Sequence, residues 1–168
     1  MRFLKNKREI REVMNYLEES TNVALNSLCY RSKCGSVIVK NKEIIGKGFN
    51  SPPKNKILEC CFKDDLPGDF KSSKTCCICA EQRAIINALR NNPKKINNSR
   101  IYFIRLNKQE NKIPAGKPYC TICSKMALDV GISEWALLHD KGICVYDSEE
   151  YNQISFGFKK WKIQKQKL

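Results

Sequence analysis

Histidine is nearly absent from this sequence. His139 is the only one and stands far from the cysteine clusters, so any metal site built from the chain must be rich in cysteine. Acidic residues are also scarce, 17 against 31 basic ones, which leaves a formal charge of +14. Long apolar runs are missing. No stretch approaches the roughly 20 residues that a membrane span requires, so no membrane partner is expected. The opening residues Met1-Arg2-Phe3-Leu4-Lys5-Asn6-Lys7-Arg8 carry no apolar run of the length a secretory leader uses. No internal repeat, low-complexity segment or second domain is indicated, and 168 residues suit one domain, 1–168, that buries a core without disulfides.

What the chain does have is cysteine. Ten are present, a count that in a small secreted protein reads as a disulfide scaffold. Here they bunch as 60/61, 76/77/79 and 120/123, and adjacent pairs are awkward to bridge. Metal-binding thiols in a reduced, cytoplasmic setting fit better. The positive charge favours phosphate-bearing partners, from nucleotides to nucleic acid. A lysine-rich solvated surface accounts for it equally well, because the charge gathers into no single stripe. Its densest clusters are Arg2–Arg11 and Lys159–Lys167, the latter within a basic tail from about 157 that also holds Trp161.

In chain order, Ile10, Met14, Leu17, Ala24, Leu25 and Leu28 recur at helical spacing and predict a first helix over Arg8–Leu28. The β-branched run Cys34–Lys40, the turn Asn41-Lys42 and Glu43–Phe49 predict a hairpin, stopped by Asn50-Ser51-Pro52-Pro53. Periodicity fades from Lys54 to Thr75, a long loop with a turn at Asp64–Asp69. A helix is expected over Cys79–Asn91, a strand over Arg100–Leu106 and a third helix over Cys120–Asp129. Strands at Ser133–His139 and Ile143–Asp147 follow, then a short helix beginning near Asp147. Strand–helix alternation around a five-stranded mixed sheet is a three-layer α/β/α domain.

Two cysteine stretches organise the rest. Cys76-Cys77-Ile78-Cys79-Ala80-Glu81 and Pro118-Tyr119-Cys120-Thr121-Ile122-Cys123 each place thiols where a helix begins. Two zinc sites can be written from them. Cys79, Cys120 and Cys123 hold zinc and leave a fourth position for water, as a catalytic site requires, or Cys76 joins them in a closed structural site. The 40-residue separation is longer than the about 15–20 of a ribbon-like site, and each pair is followed by an apolar helix. Glu81, in the first turn beside Cys79, serves hydrolysis as a proton shuttle and serves a structural site not at all. Helix N-termini favour the thiolates that zinc takes. Arg83, one turn past Cys79, is a candidate hydrogen-bond donor to sulfur, or else a surface ion-pair residue.

The Cys79-Ala80-Glu81 and Pro118-Tyr119-Cys120-Thr121-Ile122-Cys123 motifs resemble the signature of the zinc deaminases. Cys34-Gly35-Ser36-Val37-Ile38-Val39 with Gly48-Phe49-Asn50-Ser51-Pro52-Pro53 is similar to the opening of deoxycytidylate deaminases, and the likeness runs from Ser27 to Ser155. The resemblance implies a cytidine deaminase-like fold, one catalytic Zn2+, a zinc-activated water attacking C4 of cytosine, and Glu81 moving its protons. It assigns Asn50 and Ser51 to the substrate's sugar and phosphate end. It also admits a second, structural zinc drawn from Cys29, Cys34, Cys60, Cys61, Cys76 and Cys77. Departures are Cys79 where histidine is usual, Tyr119 between Pro118 and Cys120, and Ser51 in place of glycine.

The expectation is a cytoplasmic, homo-oligomeric hydrolase converting dCMP to dUMP and ammonia. The rivals are a deaminase acting on tRNA or single-stranded nucleic acid, favoured by the charge, and a zinc-stabilised nucleic-acid-binding module in which Glu81 is incidental.

Overall fold

The computed structural model describes residues 1–61 and 76–157. The expected turn at Asp64–Asp69 and the basic residues around Trp161 lie outside them. Within them run β1 (Arg2–Phe3), α1 (Lys7–Ala24), β2 (Lys33–Lys40), β3 (Glu43–Phe49), α2 (Ala80–Asn91), β4 (Arg100–Leu106), β5 (Lys112–Ile113), α3 (Thr121–Asp129), β6 (Glu134–His139), β7 (Gly142–Asp147) and α4 (Ser148–Ser155).

The sheet has seven strands where five were expected, in the order β1-β7-β6-β4-β2-β3 with β5 on the side of β4. The two additions, β1 and β5, are two residues long, too short to show any alternation. β4 and β6 are parallel and the other pairs antiparallel. The hairpin closes as its sequence predicts. Asn41 and Lys42 both take positive φ, 49° and 66°, the two-residue geometry that matches strand twist.

Alternation along the strands divides the core between two faces. Val37, Val39, Tyr102, Ala136, Ile143 and Val145 bury against Val13 and Leu17 of α1. Their neighbours Ile38, Ile101, Trp135, Leu137, Cys144 and Tyr146 bury against α2, α3 and α4. The period of two thus yields one helix below the sheet and three above, the three-layer arrangement expected.

α2 lies on β3 closer than a helix with ordinary side chains allows. It presents Ala80, Ala84 and Ala88 to Gly46 and Gly48. A Cβ on Gly48 would stand 2.3 Å from Ala84 N and 2.4 Å from Ala80 O. This contact fixes the height and direction of α2, and so the place of its first residues. No helix among the described residues is long and apolar enough to cross a membrane.

Candidate active site

Both expected motif helices start one residue later than their cysteines suggest, because the cysteine is the cap in each. Cys79 is the N-cap of α2: its N–H donates to Gln82 Oε1 at 3.2 Å, half of a capping box. Cys120 is the N-cap of α3, and its sulfur accepts from Cys123 N at 3.4 Å. A cap side chain points along the helix axis toward the free N–H groups. Two such caps, carried by neighbouring helices, bring thiols 41 residues apart to a 3.9 Å Sγ–Sγ separation.

Cys123 completes the set from the first turn of α3. The sulfurs of Cys79, Cys120 and Cys123 all lie within 4.8 Å of one another. Zn–S bonds of about 2.3 Å in a tetrahedron put sulfurs about 3.8 Å apart, so the donor set fits zinc. Cys76 is not part of it, and the closed four-thiolate alternative is not formed: its sulfur lies 3.8 Å from Cys61. The trio is polarised. Thiol hydrogen bonds from Cys123 and then Cys79, with the N–H groups of the α3 N-terminus, hold Cys120 down to about 3.

Glu81 is 7% exposed and stands beside this set. Burial pushes its carboxyl up to about 7, the Cys120 charge adds to that, and contact with the Cys123 thiol opposes it. A carboxyl so placed exchanges protons near neutral pH. Tyr151, from α4, is raised for related reasons: burial first, then the neighbouring acidic groups, Glu81 foremost.

Above Glu81 and the thiols opens a cleft of about 630 Å³. Its walls are Phe103 and Arg105 of β4, Leu137 of β6, Tyr151, Asn50, Ser32, Cys34 and the loop from Ala115 to Tyr119. Phe103, Arg105, Leu137 and Tyr151 escaped sequence reasoning. Each belongs to a regular element whose pattern reads as core or surface, and only the parallel pairing of β4 with β6 brings Phe103 beside Leu137. Tyr151 is fixed by stacking on Trp135, centroids 3.9 Å apart and planes 10° off parallel.

Asn50 lines the cleft with its amide already engaged. Oδ1 accepts from Ser27 Oγ and Cys34 N, both at 2.7 Å, and Nδ2 donates to Ser32 O at 2.9 Å. Its amide also faces the Cys29 sulfur. Ser51, expected at the substrate, is fully buried and paired to Ile78 by an antiparallel bridge, and it does not line the cleft.

Arg83 also departs from expectation. Its terminal nitrogens donate to Ser51 O (3.2 Å), Pro52 O (2.9 Å) and Asn55 Oδ1 (2.9 Å), and the guanidinium lies 5.6 Å from the centroid of the Phe49 ring. It clamps the turn after β3 to α2 instead of reaching sulfur.

The six cysteines considered for a second metal separate. Cys34 turns to Ser32 at 3.6 Å in the cleft, and Cys60 is exposed. Cys29, Cys61, Cys76 and Cys77 face one depression of about 660 Å³ next to the cleft. There the Cys77 thiol, then the Ser32 and Arg31 N–H groups and the Asn50 amide, hold Cys29 down to about 5 against its burial.

Residues 10–139 match the family model described as the cytidine and deoxycytidylate deaminase zinc-binding region. A deoxycytidylate deaminase of Saccharomyces cerevisiae is 29% identical over 124 residues, 71% of this chain and 35% of that protein. The chain therefore spans about a third of that relative's length. Among solved structures, the cytidine deaminase of Burkholderia pseudomallei is similar in fold, with TM-score 0.56 and 16% identity over 82% of this chain and 94% of that one. The dCMP deaminase of cyanophage S-TIM5 is likewise similar, with TM-score 0.54 and 21% identity over 78% and 82% of the two chains.

Proposed function

This chain belongs to the cytidine and deoxycytidylate deaminase zinc-binding family, and from that premise we propose that it hydrolyses dCMP to dUMP and ammonia. The observation that carries the reading is the buried Glu81 carboxyl beside three converging thiols, of which Cys79 and Cys120 line the floor of a nucleoside-sized cleft. A binding module has no use for a carboxyl held out of water at that place.

Cys79, Cys120 and Cys123 would hold the zinc, which supplies Lewis acidity that makes water nucleophilic at neutral pH. The protein's own groups do the rest. Phe103, Leu137 and Tyr151 enclose the cytosine ring and exclude bulk water. Glu81 takes the proton of the attacking water, gives it to ring N3, and then assists departure of the amine. The C4–N4 bond breaks, a C4–O bond forms, and one water is consumed for each ammonia released. Asn50 stiffens the wall at the sugar end, and an amide contact to the sugar requires it to leave Cys29.

The choice of dCMP rests on the stretch Gly48–Pro53, on the S. cerevisiae relative, and on the cyanophage S-TIM5 enzyme, whose solved complex contains dCMP and dUMP. A second, structural zinc on Cys29, Cys61, Cys76 and Cys77 belongs to the same reading. So does self-association, for which Ile86 and Leu89 offer exposed apolar side chains on α2.

Nucleic acid as substrate is the second reading. Tyr30 and Tyr119, 61% and 67% exposed, stand in the depression and the cleft of a chain carrying +14, and exposed aromatics amid basic residues suit stacked bases. Ammonia release from dCMP, deoxycytidine, cytidine, a cytosine-containing single strand and tRNA tests both. Turnover of dCMP supports the first reading. Turnover confined to a polynucleotide replaces it with the second, and none from any of them removes the enzyme reading.

A further inference from the structure

Tyr151 carries a group that its packing does not use. The ring stacks on Trp135 with centroids 3.9 Å apart and meets Tyr146 edge-on at 5.8 Å. A phenylalanine makes both contacts. Among the described residues nothing hydrogen-bonds the Tyr151 hydroxyl, yet it is not one of the polar atoms sealed in the core without a partner, as Trp135 Nε1 is. The residue is 5% exposed, and it lines the cleft. A hydroxyl that is neither bonded nor sealed in opens on that cleft.

Helix α4 brings this group to the α3 side of the site. Asp147 caps α4 by accepting from Glu149 N and Glu150 N. Ser124, next to Cys123, donates to Asn152 Oδ1 at 2.8 Å and lies 3.0 Å from Ser155 Oγ. These contacts pin α4 to α3 at the residue after Tyr151. The acidic groups acting on Tyr151 are accordingly Glu81 first, then Cys123 and Cys120 of α3. A phenol keeps its proton at neutral pH, and burial pushes this one further up. It meets a substrate as a neutral hydroxyl, able both to accept and to donate.

A pyrimidine seated against Glu81 displaces water from the cleft floor, and a hydroxyl left there without a partner is costly. The substrate then has to supply the partner. We infer that the Tyr151 hydroxyl is a catalytic group that binds the exocyclic amine of the substrate and eases its departure from C4. The inference rests on the deaminase reading above. In the ground state the planar amino group donates an N–H to the hydroxyl oxygen. Once C4 is tetrahedral, the amine nitrogen regains its lone pair, and the hydroxyl turns to donate to it. The contact is therefore strongest as the C4–N4 bond breaks, where it raises the rate and not merely the affinity. The bonding pair leaves with nitrogen, Glu81 carries the proton of the C4 hydroxyl to it, and Tyr151 keeps its own proton.

The test uses the zinc-loaded wild type and Tyr151→Phe. It measures dCMP turnover and the inhibition constant of the pyrimidin-2-one deoxyribonucleotide, which has the ring but lacks the amine. Zinc content and melting temperature are read in the same samples. Phenylalanine keeps the stack on Trp135, so both are expected to match the wild type. In Tyr151→Phe, kcat for dCMP is expected to fall roughly 10- to 100-fold with KM little changed, while the inhibition constant stays within about twofold. An unchanged kcat, with or without a rise in KM, overturns the inference and leaves deamination standing. So does an inhibition constant that rises in step with the loss of kcat, because the hydroxyl then serves the ring and not the amine. No turnover of dCMP by the wild type overturns the deaminase reading and this inference with it.

Discussion

Gly48 of β3 meets the backbone of α2 at Ala84, where even a methyl group has no room: its carbon would lie 2.3 Å from Ala84 N. The partner atoms are helix backbone, which cannot rotate aside. Gly48→Ala therefore lifts α2 off the sheet and carries Cys79 and Glu81 with it. The expected cost is roughly 1–3 kcal/mol, the usual range for overpacking. Urea denaturation reads the stability loss, and turnover is expected to fall further than stability alone explains. Wild-type stability and rate in Gly48→Ala would show that α2 docking does not set the site.

Zinc content separates the two cysteine clusters. The account predicts two zinc ions per chain by elemental analysis. Cys123→Ser removes the one held at the α2 and α3 N-termini and abolishes turnover, since a buried thiolate ligand has no substitute nearby. Cys77→Ser removes the other and lowers the melting temperature while the catalytic trio stays loaded. Cys60→Ser, at an exposed thiol, changes neither count. A wild type with a single zinc that Cys77→Ser leaves in place would eliminate the second site.

Arg83 gives a prediction opposite in kind to the one its sequence position suggests. A donor to a zinc thiolate would, on removal, weaken metal binding. A clamp on the carbonyls of Ser51 and Pro52 would, on removal, loosen the turn after Asn50. Arg83→Ala is thus expected to keep its zinc through dialysis against a weak chelator and to raise KM several-fold, because two charge-assisted hydrogen bonds are lost. Zinc loss with unchanged KM would restore the thiolate role.

What could be read from the sequence followed from local rules. The Asn41-Lys42 turn, the alternation in Arg100–Leu106 and the Asp147 cap of α4 are each decided by a few adjacent residues, and the structure has them where expected. The converging thiols were legible because a cysteine at a helix start is held by its own turn. The cleft walls were not. Phe103 and Leu137 look like ordinary core positions until β4 and β6 pair in parallel, and Arg105 looks like an ordinary surface charge until the cleft ends beside it. Ser51 and Arg83 were misplaced for the complementary reason. Both sit at the Ser51–Ile78 bridge, a contact between segments 27 residues apart that no local pattern announces. The strands β1 and β5, two residues each, carry no period to detect.

The central claim is that Glu81 moves protons at a three-thiolate zinc site. The most direct test is ammonia release from dCMP by the wild type and by Glu81→Gln, at zinc contents measured in the same samples. The amide keeps the size of the side chain and leaves all three sulfurs in place. The account predicts equal zinc in both proteins and a loss of turnover of roughly 100- to 10,000-fold in the variant. Turnover retained in a zinc-loaded Glu81→Gln protein would contradict it.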